Sequence, residues 1–362
     1  MAEAGNFWKG RRVFLTGHTG FKGSWLSLLL LDQGAVVRGY SLEPPTKPSL
    51  FETLRLARDL DHVIGDIRDR ENLVRSIKEF RPEAVFHLAA QPIVRLSYAD
   101  PVTTYETNVM GTVYLLEALR RAESARAAVI VTSDKCYENR EWLWGYREDD
   151  SMGGFDPYSS SKGCAEIAVA AWRRSYFAEP EALSVATARA GNVIGGGDWA
   201  VDRLVPDCAR WLSRNEQIVI RNPRAIRPWQ HVLEPVSAYC TLAERLFHQG
   251  AAFAEAWNFG PGDRGVAEVE TIVKLCIHGW GAGSYRIDGS PQPQEAKILK
   301  LDISKAVARL SFMPCYAVEK ALEKTMEWYH EFYAGQTDMK DFTLVQMREF
   351  AADRAALMKN SY

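Results

Sequence analysis

The chain lacks the cysteine and histidine spacings that build disulfide frameworks or metal sites. Its six cysteines (Cys136, Cys164, Cys208, Cys240, Cys276 and Cys315) stand far apart with no CxxC pair, the pattern of scattered core thiols in a reducing compartment. Seven histidines show no HExxH or comparable ligand spacing, so no metal is expected. No uninterrupted apolar run approaches the ~20 residues that a membrane span needs. The first ten residues, Glu3 and Trp8 among them, hold no apolar signal core. An excess of either charge is also missing. Lys+Arg of 44 against Asp+Glu of 46 leaves a net charge of −2, which gives no electrostatic reason to expect a nucleic-acid or acidic-membrane partner. The sequence carries no repeat, low-complexity tract or long charge block. What remains is a soluble, cytoplasmic protein whose 362 residues suffice for one large or two ordinary domains.

The first half alternates short β-branched runs with longer helical stretches. Strands are predicted over 12–16, 35–40, 84–88 and 128–132, and helices over 23–33, 72–80 and 108–122. Such alternation predicts an α/β fold, a Rossmann-type doubly wound parallel sheet with helices on both faces. The apolar run Val129-Ile130-Val131 suits a strand buried on both sides. After about residue 190, Gly and Pro become frequent (Gly195-Gly196-Gly197, Pro223, Pro228, Pro261, Pro291, Pro293) and aromatics interleave with Arg. Two domains are therefore expected. Residues 1–190 would bind a dinucleotide, and a smaller C-terminal α/β domain over residues 191–362 would cover the ligand crevice. Some later segments are free to return to the first sheet.

Gly17, Gly20 and Gly23 directly follow the first predicted strand and open the first predicted helix. A dinucleotide pyrophosphate needs that context: glycines allow the tight turn and close backbone approach, and the helix N-terminus presents free N–H groups with a partial positive charge. The spacing is GxxGxxG rather than GxGxxG, and a merely structural glycine turn is the competing reading. The acid that usually binds the NAD ribose at the end of the second strand is missing from Arg38-Gly39-Tyr40-Ser41-Leu42-Glu43. Arg38 suits either a 2′-phosphate or a solvated strand end, and NAD is the expected cofactor. Asp66 and Ile67, closing a third short strand, are placed against the adenine.

A second pattern concerns proton transfer. Asp156 and Pro157 suit the N-cap and first position of a helix running to Tyr176. Tyr158 and Lys162 then share a face at i and i+4, and the cation is expected to lower the phenol from about 10 toward neutrality. Such a tyrosine is a candidate acid/base for an alcohol hydroxyl, although an isolated Tyr/Lys pair is more often an amphipathic coincidence. Thr132-Ser133-Asp134-Lys135 leaves a predicted strand at its carboxyl end, where open α/β sheets bind ligands. Ser133 could hydrogen-bond a substrate hydroxyl, and Asp134 and Lys135 add two titratable groups.

Taken in order, these segments resemble the extended branch of the short-chain dehydrogenase/reductase superfamily over nearly the whole chain. The resemblance rests on Thr16-Gly17-His18-Thr19-Gly20-Phe21-Lys22-Gly23, His87-Leu88-Ala89-Ala90-Gln91, Asn108, Ser133 and Tyr158-xxx-Lys162. Within that branch the chain looks most like the CDP-glucose 4,6-dehydratases. The specific signatures are Thr132-Ser-Asp-Lys-Cys-Tyr137, Gly191-Asn-Val-Ile-Gly-Gly-Gly-Asp-Trp199, Asp202-Arg-Leu-Val-Pro206, Arg227-Pro-Trp-Gln-His-Val232 and Trp257-Asn-Phe-Gly-Pro261.

The resemblance implies that Gly17 to Gly23, Leu88 to Gln91 and Asn108 contact NAD. It also implies a redox-neutral reaction. Tyr158, helped by Ser133, takes the C4 hydroxyl proton as hydride leaves, and Lys162 tunes Tyr158 and holds the nicotinamide ribose. Asp134 protonates the departing O6, and Lys135 stands where sister dehydratases carry the glutamate that removes the C5 proton. Asn192, Arg203, Leu204, Arg227 and Asn258 match positions that bind diphosphate or nucleoside in relatives. A guanidinium fork gives Arg227 a physical reason to do so, whereas Arg203 equally suits a solvated surface. The resemblance further implies a homodimer, or a dimer of dimers, through helices near Val109 to Leu119 and Ala165 to Trp172. A nucleotide-sugar 4-epimerase, a dehydratase of another nucleotide sugar and a non-catalytic dinucleotide sensor are the competing readings.

Overall fold

A computed structural model describes residues 7–179, 183–288 and 299–359; Glu3, Pro291 and Pro293 lie outside them. Its centre is a seven-stranded sheet. The first six strands in chain order are β1 (Arg12–Thr16), β2 (Val36–Ser41), β3 (Asp61–Ile64), β4 (Ala84–His87), β5 (Ala127–Val131) and β6 (Ser184–Arg189). The spatial order is β6-β5-β4-β1-β2-β3, with Ala256–Asn258 added beyond β6, and every neighbouring pair is parallel. The order reverses between β1 and β4, which places a crevice beyond their carboxyl ends.

The strands form here because they are apolar on both faces. Leu15, Phe86 and Val129 enter one core with Trp25 of the helix Phe21–Asp32 and Tyr239 of Leu233–Gln249. Their neighbours Phe14, Val85 and Ile130 enter a separate core with Ile77 of Arg70–Phe80, Leu115 of Gly111–Arg120 and Val169 of Pro157–Ser175. The period of two sends alternate residues to opposite helix layers, and each fully buried large apolar side chain contributes about 1.5–3 kcal/mol.

The later half is joined to this sheet. Ala256–Asn258 pairs with β6, so one later segment does return to it. Three two-stranded ladders lie outside it: Val193–Ile194 with Gln230–His231, Ile226–Pro228 with Val266–Glu268, and Ile218–Ile220 with Tyr285–Ile287. The triple glycine is a packing device. A Cβ on Gly196 would lie 2.0 Å from the Trp328 ring, and one on Gly197, whose φ is +82°, would lie 2.4 Å from Leu50.

The helix expected from Asn108 differs in its opening. Residues Glu106–Met110 form a π-helical turn before Gly111–Arg120 continues as α-helix. The widened turn holds buried Asn108 in contact with the loop after β4 and with the helix Pro157–Ser175.

Glu234 gives the fold a pH dependence. Its Oε1 accepts the N–H groups of Cys315 and Tyr316, both at 2.8 Å. Burial nonetheless pushes this carboxyl from 4.5 up to about 7. The folded chain therefore binds more protons than the unfolded one between these values. The contribution of Glu234 is fully present below about pH 4.5 and falls by up to about 3 kcal/mol as pH rises through 7. Glu234→Gln keeps the acceptor and is expected to remove that slope from urea midpoints measured between about pH 5 and 7.5. Equal slopes in variant and parent would contradict the assignment.

Candidate active site

The glycine loop is built as a dinucleotide cradle. Gly17 has φ +77°, and a Cβ there would meet the Ala89 backbone N at 2.6 Å; one on Gly23 would meet the Gly17 carbonyl O at 2.1 Å. No side chain caps the helix that follows, and no acid occupies its first turn. Its N-terminus is therefore open to an anion. These features fit a pyrophosphate.

The loop's own side chains turn away from that cradle. His18 is buried, its Nε2 is 2.7 Å from His62 Nδ1, and its ring fills the space a Cβ on Gly39 would need. Burial first, and then His62, push His18 down to about 3. Thr19 Oγ1 donates to the Leu42 carbonyl at 2.9 Å and lies 2.9 Å from Ser41 Oγ, at the strand end where a ribose-binding acid was sought. The side chains of His18 and Thr19 are thus taken up within the protein. Arg38 is committed elsewhere: it meets Asp61 at 2.6 Å and the Ser76 carbonyl at 3.1 Å, and lies over Phe80. This commits it to an ion pair at the strand end.

The remaining cofactor candidates divide into exposed backbone and internal braces. Leu88 and Ala89 donate their N–H groups to Thr16, at its carbonyl and hydroxyl, and Ala90 follows them into the crevice loop. Asn108 accepts from the Gln91 N–H at 2.8 Å and donates to the Gln91 carbonyl and to Ser161 Oγ at 2.9 Å. Its amide is fully used, so its place is to hold this loop against the Pro157–Ser175 helix. Asp66 is fastened by Arg68, whose hydrogen bonds pull its carboxyl below the usual range. Ile67 is buried in the core below Gly111. The Asp66 side chain stays 27% exposed.

The proton-transfer groups do converge. Asp156 caps the Pro157–Ser175 helix by accepting from the Ser159 N–H at 2.9 Å, with Pro157 at the first position as expected. Tyr158 and Lys162 are both buried on that helix. Opposite them, β5 ends and Ser133 opens the single 3₁₀ turn Asp134–Cys136. Ser133 Oγ accepts from the Lys135 N–H at 3.2 Å, donates to Asp134 at 2.9 Å and contacts the Tyr158 phenol. Asp134 fills the space where a Cβ on Gly191 would fall, 1.9 Å from its Oδ2, so glycine is required there. Lys135, half-buried, follows on the same turn.

One expectation reverses. Burial pushes Tyr158 up to about 12; the Ser133 hydrogen bond and Arg203 oppose this, while Asp134 reinforces it. Lys162 is itself lowered by burial, to about 8, with Glu166 and Cys136 favouring its charged form. Burial is the largest influence on both groups, and i,i+4 spacing does not reveal it.

Three further side chains reach the cluster. Lys22 is lowered by burial to about 8 and feels Lys162, Arg203, Asp134 and Asp198. Arg203 is gripped by buried Asp198 at 2.7 Å, whose charge holds it above its ordinary value. Its side chain remains 36% exposed while its charge acts on Lys22 and Tyr158. Leu204 starts the helix Leu204–Ser213 beside it. Asn192, with φ +38°, lies on the loop after β6, and Arg227 on the outer ladder donates to the Ile226 carbonyl. Asn258 departs from its expected role. It is fully buried, accepts from the Tyr137 phenol and donates to the Tyr146 and Asp302 carbonyls. Its side chain braces the edge strand and is not presented to a ligand.

Sequence reasoning overlooked Glu166. It is buried, accepts from Thr132 and from Thr187 at 2.7 Å, and pairs with Arg189 at 2.9 Å. The available signal was its position four residues beyond Lys162, on the Tyr158/Lys162 face.

Comparison with known proteins agrees with this arrangement. The chain is 53% identical over 351 residues to the CDP-glucose 4,6-dehydratase of Salmonella typhimurium, covering 96% of this chain and 97% of that one. It is 26% identical to a dTDP-glucose 4,6-dehydratase of Xanthomonas campestris, over 87% of this chain and 92% of that one. Its fold matches the UDP-glucose 4-epimerase of Brucella ovis, solved in complex with NAD. The TM-score is 0.76 at 23% identity, covering 89% of this chain and 99% of the other. A family profile described as GDP-mannose 4,6 dehydratase matches residues 14–325, and with the tyrosine, lysine and serine gathered at the sheet's carboxyl end, the chain belongs to that family.

Proposed function

We propose that the protein is an NAD-dependent lyase that converts CDP-glucose to CDP-4-keto-6-deoxyglucose and water. The observation that carries this reading is the 53% identity, over nearly the full length of both chains, to an enzyme of that name. The gathered Ser133, Asp134, Tyr158 and Lys162 supply groups for each proton movement. NAD, when bound over the Gly17 to Gly23 cradle, supplies the acceptor for the C4 hydride and, once reduced, the donor for C6.

The chain's own residues handle the protons. Tyr158 accepts the C4 hydroxyl proton, with Ser133 and Arg203 both favouring its phenolate. The 4-ketone acidifies the C5 hydrogen, which Lys135 removes as a proton and returns to C5 when hydride reaches C6. Asp134 gives its proton to O6, so that the C6–O6 bond breaks with release of water. Asp134 is buried beside Ser133, which keeps bulk water out of the transfer. Arg227 and Asn192 are the residues we place on the nucleotide diphosphate. Residues 1–190 then serve the cofactor and 191–362 the nucleotide sugar.

A homodimer through the faces near Val109 to Leu119 and Ala165 to Trp172 completes the reading, supported by exposed Met110 and Ile167. The cytoplasm suits its free cysteines. Among the described residues no helix is long and apolar enough to cross a membrane.

Mass spectrometry of nucleotide sugars after incubation with the protein and NAD tests the function. Loss of one water from CDP-glucose, and not from the UDP, dTDP or GDP sugars, is expected. Water loss from another donor would move the nucleotide assignment. Unchanged mass throughout would overturn dehydration.

A further inference from the structure

We infer that Glu166 is a positioning residue for the reaction, fixing the Ser133-Asp134 turn against the Tyr158/Lys162 helix and holding Lys162 in its ammonium form. This rests on the dehydratase reading above and adds a group outside the substrate crevice to it. Glu166 follows Tyr158 and Lys162 at successive four-residue steps on the helix Pro157–Ser175, so all three share one face. Its carboxylate meets partners from two strands. Oε1 accepts from the hydroxyl of Thr132, the residue immediately before Ser133, and Oε2 accepts from Thr187 at 2.7 Å and from Arg189 at 2.9 Å. A helix, the end of β5 and the end of β6 are thereby tied at one anion.

A carboxylate 4% exposed with that many donors is ionised. Burial alone would raise it, but Arg189 and the two hydroxyls hold it below its ordinary range. Arg189 is in turn anchored by the Tyr137 hydroxyl and the Glu148 carbonyl. Arg173, on the same helix, also feels the Glu166 charge.

The second consequence concerns Lys162. The groups that act on it come from four elements. Glu166 on its own helix and Cys136 on the catalytic turn favour its charge. Lys22 on the glycine-loop helix and His87 on β4 share its repulsion. Among them Glu166 is the largest influence opposing burial. Removing its negative charge leaves Lys162 easier to deprotonate. A neutral Lys162 is no longer the ammonium that the proposed reaction uses one helical turn from Tyr158.

Glu166→Gln tests this in the full-length protein with NAD and CDP-glucose. The alkaline limb of the kcat profile should move down by about one pH unit, with kcat at pH 8 falling about tenfold or more and KM for CDP-glucose nearly unchanged. A purely structural role would lower activity without moving the limb.

The variant also strands Arg189, so Glu166→Gln/Arg189→Met, which removes both charges, is measured beside it. The shifted limb should persist in the double variant, with circular dichroism matching the parent. A parental profile in the double variant would assign the single variant's loss to the stranded arginine and overturn the inference. So would an unshifted limb in both. Absence of any dehydrated product from the parent would instead defeat the dehydratase reading itself.

Discussion

Tyr158→Phe is expected to lower kcat by about 10²- to 10⁴-fold while leaving KM for CDP-glucose within a few-fold of the parent. In the proposed reaction the phenol hydroxyl receives the C4 proton, and no other group is assigned that role. Ser133 contacts that phenol, yet its hydroxyl is a far weaker base and already donates to Asp134. Phe keeps the ring, so the buried helix face should pack as before. The pH dependence carries a second expectation. Burial holds Tyr158 near 12 in the chain alone, so its deprotonation depends on surrounding positive charge. Screening is weak in a buried cluster, and activity should depend little on added salt. Retention of more than about a tenth of parental kcat in Tyr158→Phe would remove Tyr158 from the proton-transfer role.

Lys135→Ala is the second large effect, and it separates two steps that Tyr158→Phe abolishes together. C4 oxidation needs Tyr158, Ser133 and the cofactor, and none of these is touched. Removal of the C5 proton needs a base on the turn that also carries Asp134, and Lys135 is the adjacent half-buried group. Dehydrated product should fall by about 10²-fold or more, while near-ultraviolet absorbance of reduced nicotinamide builds up on adding substrate. Undiminished water loss would reassign the base. Loss of both signals would show that Lys135 holds the turn rather than takes the proton. The Ser133 cap, made by the Lys135 backbone N–H, survives the substitution, so the turn itself should persist.

Local chemistry made much of this site legible in the sequence. Asp156 and Pro157 announce a helix start because capping is settled within four residues. Gly17 and Gly23 announce the cradle because a Cβ at either would collide with backbone. The strands β1, β4 and β5 announce themselves as short apolar runs buried on both faces.

What stayed hidden depends on residues distant in the chain. Asn258 looks like a ligand-binding asparagine until Tyr137, Tyr146 and Asp302 are seen to take up its amide. His18 reads as a cofactor contact until His62, 44 residues away, is found against it. The π turn at Asn108 has no local propensity signal, because it is fixed by Gln91 and Ser161. The Tyr158 expectation failed for the same reason. A helical spacing reports which charges are near, whereas the burial that outweighs them is a property of the assembled fold.

The central claim is that one enclosed site removes hydride from C4 and delivers it to C6 of the same sugar. CDP-glucose carrying deuterium at C4, incubated with the protein and unlabelled NAD, tests this most directly. The account predicts a product lighter by one water that keeps its deuterium, now in the C6 methyl group. Deuterium still at C4, or lost to solvent or to the cofactor pool, would contradict it.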